Sequence, residues 1–372
     1  MERKTITFVL GKFPNPRIKK RIELEKEIGT VSLICWNMGG INYNFYEKDV
    51  EIYSIDVKAN RTNPLKRIIP TLKFMNKSIK RLFELSPQIL HVENIDMLFV
   101  SIVYYFLKSD KPKIIYEVAD LHNLIVGESN TIVRKAIKKC LRWAEKKMCK
   151  RISFLIITSE RFYDVYYKQI LNKEKVIFMP NMPDLKAFNK FKKKDNGTFT
   201  IGFVGSIRYY DQMKLLIEAS HNKEVNLIFA GFSHNKKFYL EFEDRSDIDF
   251  IGQFDYDNDI AEIYSKLDCV YSVYDADDNN VKVALPNKLY EAIYCELPII
   301  VAKGTYLSEI VTEMGVGVSI SHNSQEELEM VIDKLSKDTD FYNEIIKNCK
   351  KHKNYVNVSK YNSTLIDKIQ KI

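Results

Sequence analysis

Two series of short apolar runs, each alternating with helical patterns and separated by a lysine-rich stretch, constrain this 372-residue chain more than any other feature. In the first series, residues 5–10, 31–35, 89–92, 113–117, 154–157 and 176–178 are dense in Val, Ile, Leu and Phe. They lack the polar alternation of a strand with one wet face, so they read as parallel strands buried on both faces. The pattern breaks after Pro180, where residues 184–197 are rich in lysine and end on Gly197, an interdomain linker by composition. It restarts with residues 200–204, 226–230, 249–251, 269–273 and 298–301. Parallel strands joined by helices demand layered α/β packing. The expectation is α/β, with two doubly wound Rossmann-like domains facing across a cleft. Residues 1–183 form an acceptor-side domain, 184–197 the linker and 198–357 a donor domain; 358–372 form a last helix crossing back to the first domain. Ligands of such sheets bind outside the carboxyl ends of the strands.

Composition removes several function classes. The six cysteines (Cys35, Cys140, Cys149, Cys269, Cys295 and Cys349) include no CxxC pair and no metal-like cluster with histidine, so neither a disulfide framework nor a zinc site is expected. Residues 1–10 run straight into a strand pattern without a small-residue cleavage site, unlike a signal peptide, and the expected location is the cytoplasm. The longest apolar run, residues 97–107, falls short of the ~20 residues that cross a bilayer and reads as a buried helix. Residues 1–184 hold 33 Lys and Arg against 20 Asp and Glu, while the rest hold 24 against 29. That asymmetry suits a first domain facing an anionic partner, and equally suits drift in a lysine-rich composition. No nucleic-acid module or aromatic-basic platform accompanies it, so nucleic acid is not an expected partner.

Two motifs in the second half carry chemistry. Residues 201–208 read IGFVGSIR, a strand, a glycine turn and a basic residue ahead of a helix near Asp211. Gly205 allows close backbone approach, Ser206 follows it, and Arg208 adds a charge beside the free amides of a helix N-terminus, an arrangement suited to a diphosphate. Residues 285–301 read LPNKLYEAIYCELPIIV. Pro286 and Asn287 open a helix, Lys288 and Leu289 lie in its first turn, and Glu291 lies one turn on. A cation at a helix N-terminus opposes the helix dipole unless an anion sits there too, so Lys288 points to a bound phosphate; the alternative is a surface pair with Glu291.

With GFVGSIR upstream and LIFAGFS and FIGQFDY between, LPNKLYEAIYCELPII resembles the donor domain of family 4 and related GT-B glycosyltransferases. In the first half, NPRIKKRIELEKEIGTVSLICW, LHVENIDML, IIYEVADLH and VIFMPNMPD are similar to successive segments of the same family. The resemblance implies a nucleotide-sugar donor, a UDP- or GDP-sugar, with Glu291 on the ribose and Arg208 and Lys288 on the diphosphate. It also implies no metal, no other cofactor and retention of anomeric configuration. The family's second glutamate, eight positions before the ribose one, is Val283 here. Its Arg and Lys after the glycine turn are Ser206 and Asp211, for which Arg208 and Lys214 substitute.

The same resemblance places Asp120 and His122 beside the reacting sugar, Ala119 standing where histidine is usual. Asp120, just past a strand, suits a group that accepts or orients the acceptor hydroxyl's proton, or else a helix cap. Glu93 and Asn94 after the third strand, and Asn15 and Arg17 after the first, are acceptor-side candidates; Asn15-Pro16 is also an ordinary helix start. The implied function is transfer of a sugar to a glycan or lipid-linked acceptor in bacterial cell-surface polysaccharide (capsule or exopolysaccharide) synthesis. A GT-B sugar-nucleotide epimerase and a non-catalytic nucleotide-sugar-binding subunit are the alternatives. Residues 134–151, RKAIKKCLRWAEKKMCKR, put Ala136, Ile137, Cys140, Leu141, Ala144 and Met148 on one helical face. That face is expected in the core. Lys and Arg on the other, extended by Lys66, Arg67, Lys73, Lys77, Lys80 and Arg81, are expected to meet an anionic membrane surface as a peripheral contact, or solvent alone.

Overall fold

Every strand pairing among the described residues is parallel. The computed structural model describes residues 3–39, 49–59, 64–121, 127, 131–233, 235–242 and 244–372. It divides into two units, Met1–Pro180 with Ser359–Ile372, and Asn181–Val358. In the first, β1 (Lys4–Leu10), β2 (Gly29–Asn37), β3 (Glu51–Asp56), β4 (Ile89–Glu93), β5 (Lys113–Val118), β6 (Phe154–Ile157) and β7 (Val176–Phe178) lie in the order β3-β2-β1-β4-β5-β6-β7. In the second, β8 (Phe199–Val204), β9 (Val225–Ala230), β10 (Ile248–Gly252), β11 (Cys269–Ser272), β12 (Ile299–Ala302) and β13 (Gly317–Ile320) lie in the order β10-β9-β8-β11-β12-β13. Each chain path winds outward in one direction, returns, and continues on the other side. The order therefore reverses between β1 and β4 and again between β8 and β11, the positions where doubly wound sheets open a crevice for ligand. Two α/β sheets of the expected class are present.

The edge strands β3 and β13 are the two that the apolar pattern does not announce. In Glu51–Asp56 only Ile55 is buried, and in Gly317–Ile320 only Ile320, because an edge strand packs against one neighbour and needs less apolar surface.

Residues 184–197 are not a free linker. Asp184 caps a short turn at Leu185–Phe188, and Phe188 is buried against Tyr264 and Tyr294 with ring centroids 5.6 and 5.7 Å away. Lys193 pairs with Asp268 at 2.7 Å and Lys194 with Glu262, so the segment belongs to the second unit. The lysines hid one aromatic anchor. Helix Ser359–Gln370 belongs to the first unit, with Leu365 and Ile369 in one cluster with Ile6, Phe8, Ile18 and Ile22. Lys4 Nζ donates to the carbonyls of Ile369 and Gln370 at 2.9 and 3.0 Å, closing two of the helix's last carbonyls.

Two helices differ from their sequence reading. Helix Asn94–Leu107 buries Met97, Leu98, Val100 and Tyr104 but exposes Phe99, Phe106 and Leu107, so it is half-buried rather than interior. Helix Ile132–Met148 departs further, since Ala136, Ile137 and Cys140, expected in the core, are exposed and only Glu145 and Met148 are buried. Its contact with the sheet is made by the last turn, where Glu145 accepts hydrogen bonds from Tyr116, Tyr166 and Tyr167 at 2.8, 2.6 and 2.9 Å. Among the described residues no helix is long and apolar enough to cross a membrane.

Candidate functional site

The carboxyl end of β8 turns at Gly205, whose φ of +129° belongs to glycine. A second glycine makes the turn possible. Gly205 N–H donates to Ala230 O at 2.7 Å, and Gly231, at φ +142°, packs so close that an added Cβ would stand 1.8 Å from Gly205 O. Two backbones thus stack where β8 and β9 end. Beside them lies the Lys288 ammonium, which would be 3.1 Å from a Cβ at Gly205.

Lys288 is brought there by helix Asn287–Tyr294, which starts at Pro286 without a side-chain cap. It is 8% exposed. Its Nζ donates to the Tyr274 hydroxyl at 2.8 Å and sits 4.4 Å from the Phe203 ring centroid. No carboxylate stands within ion-pair distance of it among the described residues. An ammonium buried without a counter-charge is expensive, and aromatic faces recover only part of the loss. The surface pairing with Glu291 does not exist, since both residues are buried and their side chains part. Glu291 accepts from Tyr256 at 2.6 Å and from Tyr264 at 2.5 Å. Burial, then the Glu291 charge, pushes both phenols far above the ordinary range, fixing them as donors. One carboxylate lone pair per oxygen remains for a further donor.

Arg208 is exposed, its Nε donating to Ser206 Oγ at 3.1 Å. It precedes helix Tyr210–Ala219, which also lacks a side-chain cap. Lys214 pairs instead with Glu241 at 2.6 Å. Asn287 is half-buried in its helix's first turn. Leu289 does not fit a donor-contact role. Its side chain is fully buried and its N–H donates to Pro286 O at 3.2 Å, because the fourth residue of the turn points into the core. Past β11 and β13, Asp275, Asp277 and His322 come together, with His322 Nε2 3.5 Å from Asp275 and 3.8 Å from Asp277.

In the first unit, a cavity of about 520 Å³ opens where β1, β2 and β4 end, lined by Lys12, Phe13, Trp36, Asn37, Arg67, Asn94 and Asp96 among others. Of the acceptor-side residues expected from sequence, Asn94 lies here, at φ +71°. The other three are engaged within the unit, Arg17 and Glu93 in its interior and Asn15 at a half-buried helix start. Asn15 caps helix Pro16–Lys26, accepting from Ile18 N–H at 3.0 Å. Arg17 is buried and bridges Glu93 and Glu117, which face each other across the β4–β5 pair. Asp120 is exposed two residues past β5, close enough for its charge to act on Arg17. His122 lies outside the described residues.

Residues 184–352 match the model of the family "Glycosyl transferases group 1". The match lies within the second unit. Solved structures extend the fold to the whole chain. Sucrose-phosphate synthase from Thermosynechococcus elongatus superposes with a TM-score of 0.76 over 99% of each chain at 12% identity. Anabaena Alr3699/HepE, solved in complex with UDP-glucose, gives 0.73 over 100% of each chain at 14% identity. WaaG, a glycosyltransferase involved in lipopolysaccharide biosynthesis, gives 0.69 over 97% of this chain and 98% of its own at 15% identity. No curated protein sequence matches the chain. The architecture is therefore GT-B, the fold of these glycosyltransferases.

Beneath the first unit's strand ends lies an ion network that motif reading passed over. Arg17, Arg21 and Glu25 repeat every four residues along one helix face, a spacing from which the set could have been found. His91 sits between Glu25 at 2.5 Å and Glu117 at 3.0 Å, and its ring stacks on Phe8. Arg21 Nε lies 3.4 Å from Glu117. With His91 protonated the set holds three cations and three carboxylates. Burial disfavours the His91 cation, but Glu25 and Glu117 outweigh it and raise its pKa to about 9. Burial likewise opposes the Glu117 carboxylate, and Arg17, Arg21 and His91 hold it well below the usual range. Folded His91 binds its proton more tightly than its ordinary 6.5. Its stabilisation is thus full below about pH 6.5 and is lost as pH rises through about 9. Urea unfolding should show the midpoint falling across that window in the wild type and a flatter profile in His91→Gln; a wild-type midpoint constant from pH 6.5 to 9.5 would contradict the network.

Proposed function

We propose that the chain transfers a sugar from a nucleotide-sugar donor, UDP- or GDP-linked, to a glycan or lipid-linked acceptor, as a retaining enzyme of the family 4 type in cell-surface polysaccharide synthesis. The observation that carries this is Lys288, a buried ammonium at a glycine turn with no carboxylate near it among the described residues. A diphosphate supplies the missing charge. Lys288, Arg208 and the uncapped helix amides at 210 and 287 would hold it, and Glu291 would take the ribose hydroxyls on its remaining lone pairs. The binding of UDP-glucose by the Anabaena protein of the same fold puts UDP-sugars first among donors to test.

As the anomeric carbon–oxygen bond breaks, charge accumulates on the departing diphosphate. A fixed cation in a poorly solvated site stabilises that charge more than it stabilises the intact donor. Asp120 on the acceptor side takes up or orients the incoming hydroxyl's proton. Departure and attack on one face of the sugar, rather than a covalent intermediate, is the course proposed. The reading is metal-free, the work being done by Lys288 and Arg208; Asp275, Asp277 and His322 are the group that would hold an ion if it were wrong. Val283, in place of the family's second glutamate, favours a sugar held by contacts of another kind.

The acceptor is proposed to be presented at a membrane surface. Helix Ile132–Met148 exposes Ile132, Val133, Ile137 and Trp143 among Arg134, Lys135, Lys139, Arg142, Lys146 and Lys147, and helix Pro64–Leu85 exposes Ile68, Ile69 and Leu72 among its own cations. Apolar residues with cations suit the interface of an anionic leaflet, where each charge contributes about 1 kcal/mol.

Lys288→Ala and Arg208→Ala should each weaken UDP binding in calorimetry by about ten- to a hundredfold, one charge-assisted contact apiece. Asp120→Asn should cut transfer about a hundredfold or more with donor affinity kept. Unchanged UDP affinity in both cation variants would remove the donor assignment, and activity lost in EDTA and restored by a divalent ion would remove the metal-free mechanism. In liposome co-sedimentation, binding should need anionic lipid, fall with salt, and weaken in Lys138→Ser, Lys139→Ser, Arg142→Ser; equal recovery on neutral vesicles would return both helices to solvent.

A further inference from the structure

The first unit's cavity carries more positive charge than a neutral glycan requires. Lys12 and Arg67 face a single lining carboxylate, Asp96, and that one is already drawn toward its own helix, Oδ1 accepting from Met97 N–H at 3.1 Å. Neither cation has an ion-pair partner among the described residues. Lys12 is exposed, and the Arg67 guanidinium lies 5.3 Å from the Trp36 ring centroid. Trp36 is a fixed wall, stacked on Phe74 at 4.8 Å, with its indole N–H donating to Val57 O at 2.8 Å. It therefore holds Arg67 in place by cation–π attraction without neutralising it.

The polar part of the lining is of a different kind. Asn37, Asn94 and Asp96 offer the amide and carboxylate groups that pair with sugar hydroxyls. Asn94 keeps a left-handed backbone at the start of a 14-residue helix, and Glu93, at the capping position, makes no cap bond because Arg17 holds it. The volume of about 520 Å³ falls in the range of small-molecule sites, about 300 to 1,000 Å³. Hydroxyl-binding groups together with two cations that have no ion-pair partner among the described residues describe a sugar with an oxyanion attached.

Resting on the reading that the first unit holds the acceptor, we infer that this cavity binds an anionic saccharide, one bearing a phosphate or carboxylate, through Lys12 and Arg67. The oxyanion is either carried on a soluble sugar or is the phosphate that links a sugar to a lipid. In both cases the cations set specificity by leaving a neutral analogue without their contacts.

Calorimetry on the full chain with hexose 6-phosphate, hexuronate, free hexose and a detergent-solubilised polyprenyl-diphosphate sugar tests this. At least one anionic ligand should bind about tenfold or more tightly than free hexose, the size of one charge-assisted contact. Lys12→Ala, an exposed position that leaves the fold alone, and Arg67→Met should each erase most of that preference, while Lys288→Ala keeps it. Preference confined to the polyprenyl ligand assigns the lipid-borne phosphate; preference shared by hexose 6-phosphate or hexuronate assigns the soluble anion. Equal affinity for all four ligands overturns the inference, as does anion binding that survives both first-unit changes and disappears in Lys288→Ala. Loss of the transferase reading shows separately, as absent transfer from nucleotide sugars with the anion preference intact.

Discussion

An ammonium buried between a phenol and a phenylalanine ring, beside a glycine turn and with no carboxylate in reach among the described residues, is electrically incomplete. Lys288 is in that position, and the surrounding features are what its position requires. Gly205 must be glycine both for its φ and because a side chain would crowd the ammonium; Gly231 must be glycine to let the next strand end pass behind it. Two uncapped helices begin at the same strand ends. Each feature raises the local appetite for an anion, and none satisfies it internally.

Charge balance separates this site from the rest of the interior. In the first unit, Arg17, Arg21 and His91 meet Glu25, Glu93 and Glu117, so burial is matched by partners and the set is a structural brace under the β4 and β5 ends. Glu145, with three tyrosine hydroxyls on it, is likewise satisfied. A network of that kind is costly to break and gains nothing from a ligand. Lys288, Arg208, Lys12 and Arg67 are the contrasting class, cations with no ion-pair partner among the described residues. Glu93 directly precedes the cavity-lining Asn94 while its carboxylate is held by Arg17, which is why Arg17 and Glu93 read as contacts from sequence and serve as supports in the fold.

The architecture was legible because buried parallel strands are apolar throughout, and eleven such runs stand out between helices; β3 and β13 were not, since an edge strand is half wet. The glycine turn after β8 and the helix start at Pro286 were legible too, and the fold sets the Lys288 ammonium beside Gly205. What the motifs could not give was the side chain's company. Tyr274, Tyr256 and Tyr264 come from distant segments, and no spacing rule joins them to Lys288 or Glu291. Helix Ile132–Met148 shows the limit of periodicity, since an apolar stripe specifies a face and not what covers it. The lysine-rich stretch before β8 hid Phe188 for the opposite reason, composition averaging out a single anchor.

The most direct test of the account is hydrogen–deuterium exchange of the full chain with and without UDP. Amides of residues 204–210 and 286–292 should gain protection, and Lys288→Ala should remove most of that gain at the same nucleotide concentration. Protection elsewhere with none at these two strand ends, or a gain untouched by Lys288→Ala, would contradict the claim that the buried ammonium is where the donor's charge is met.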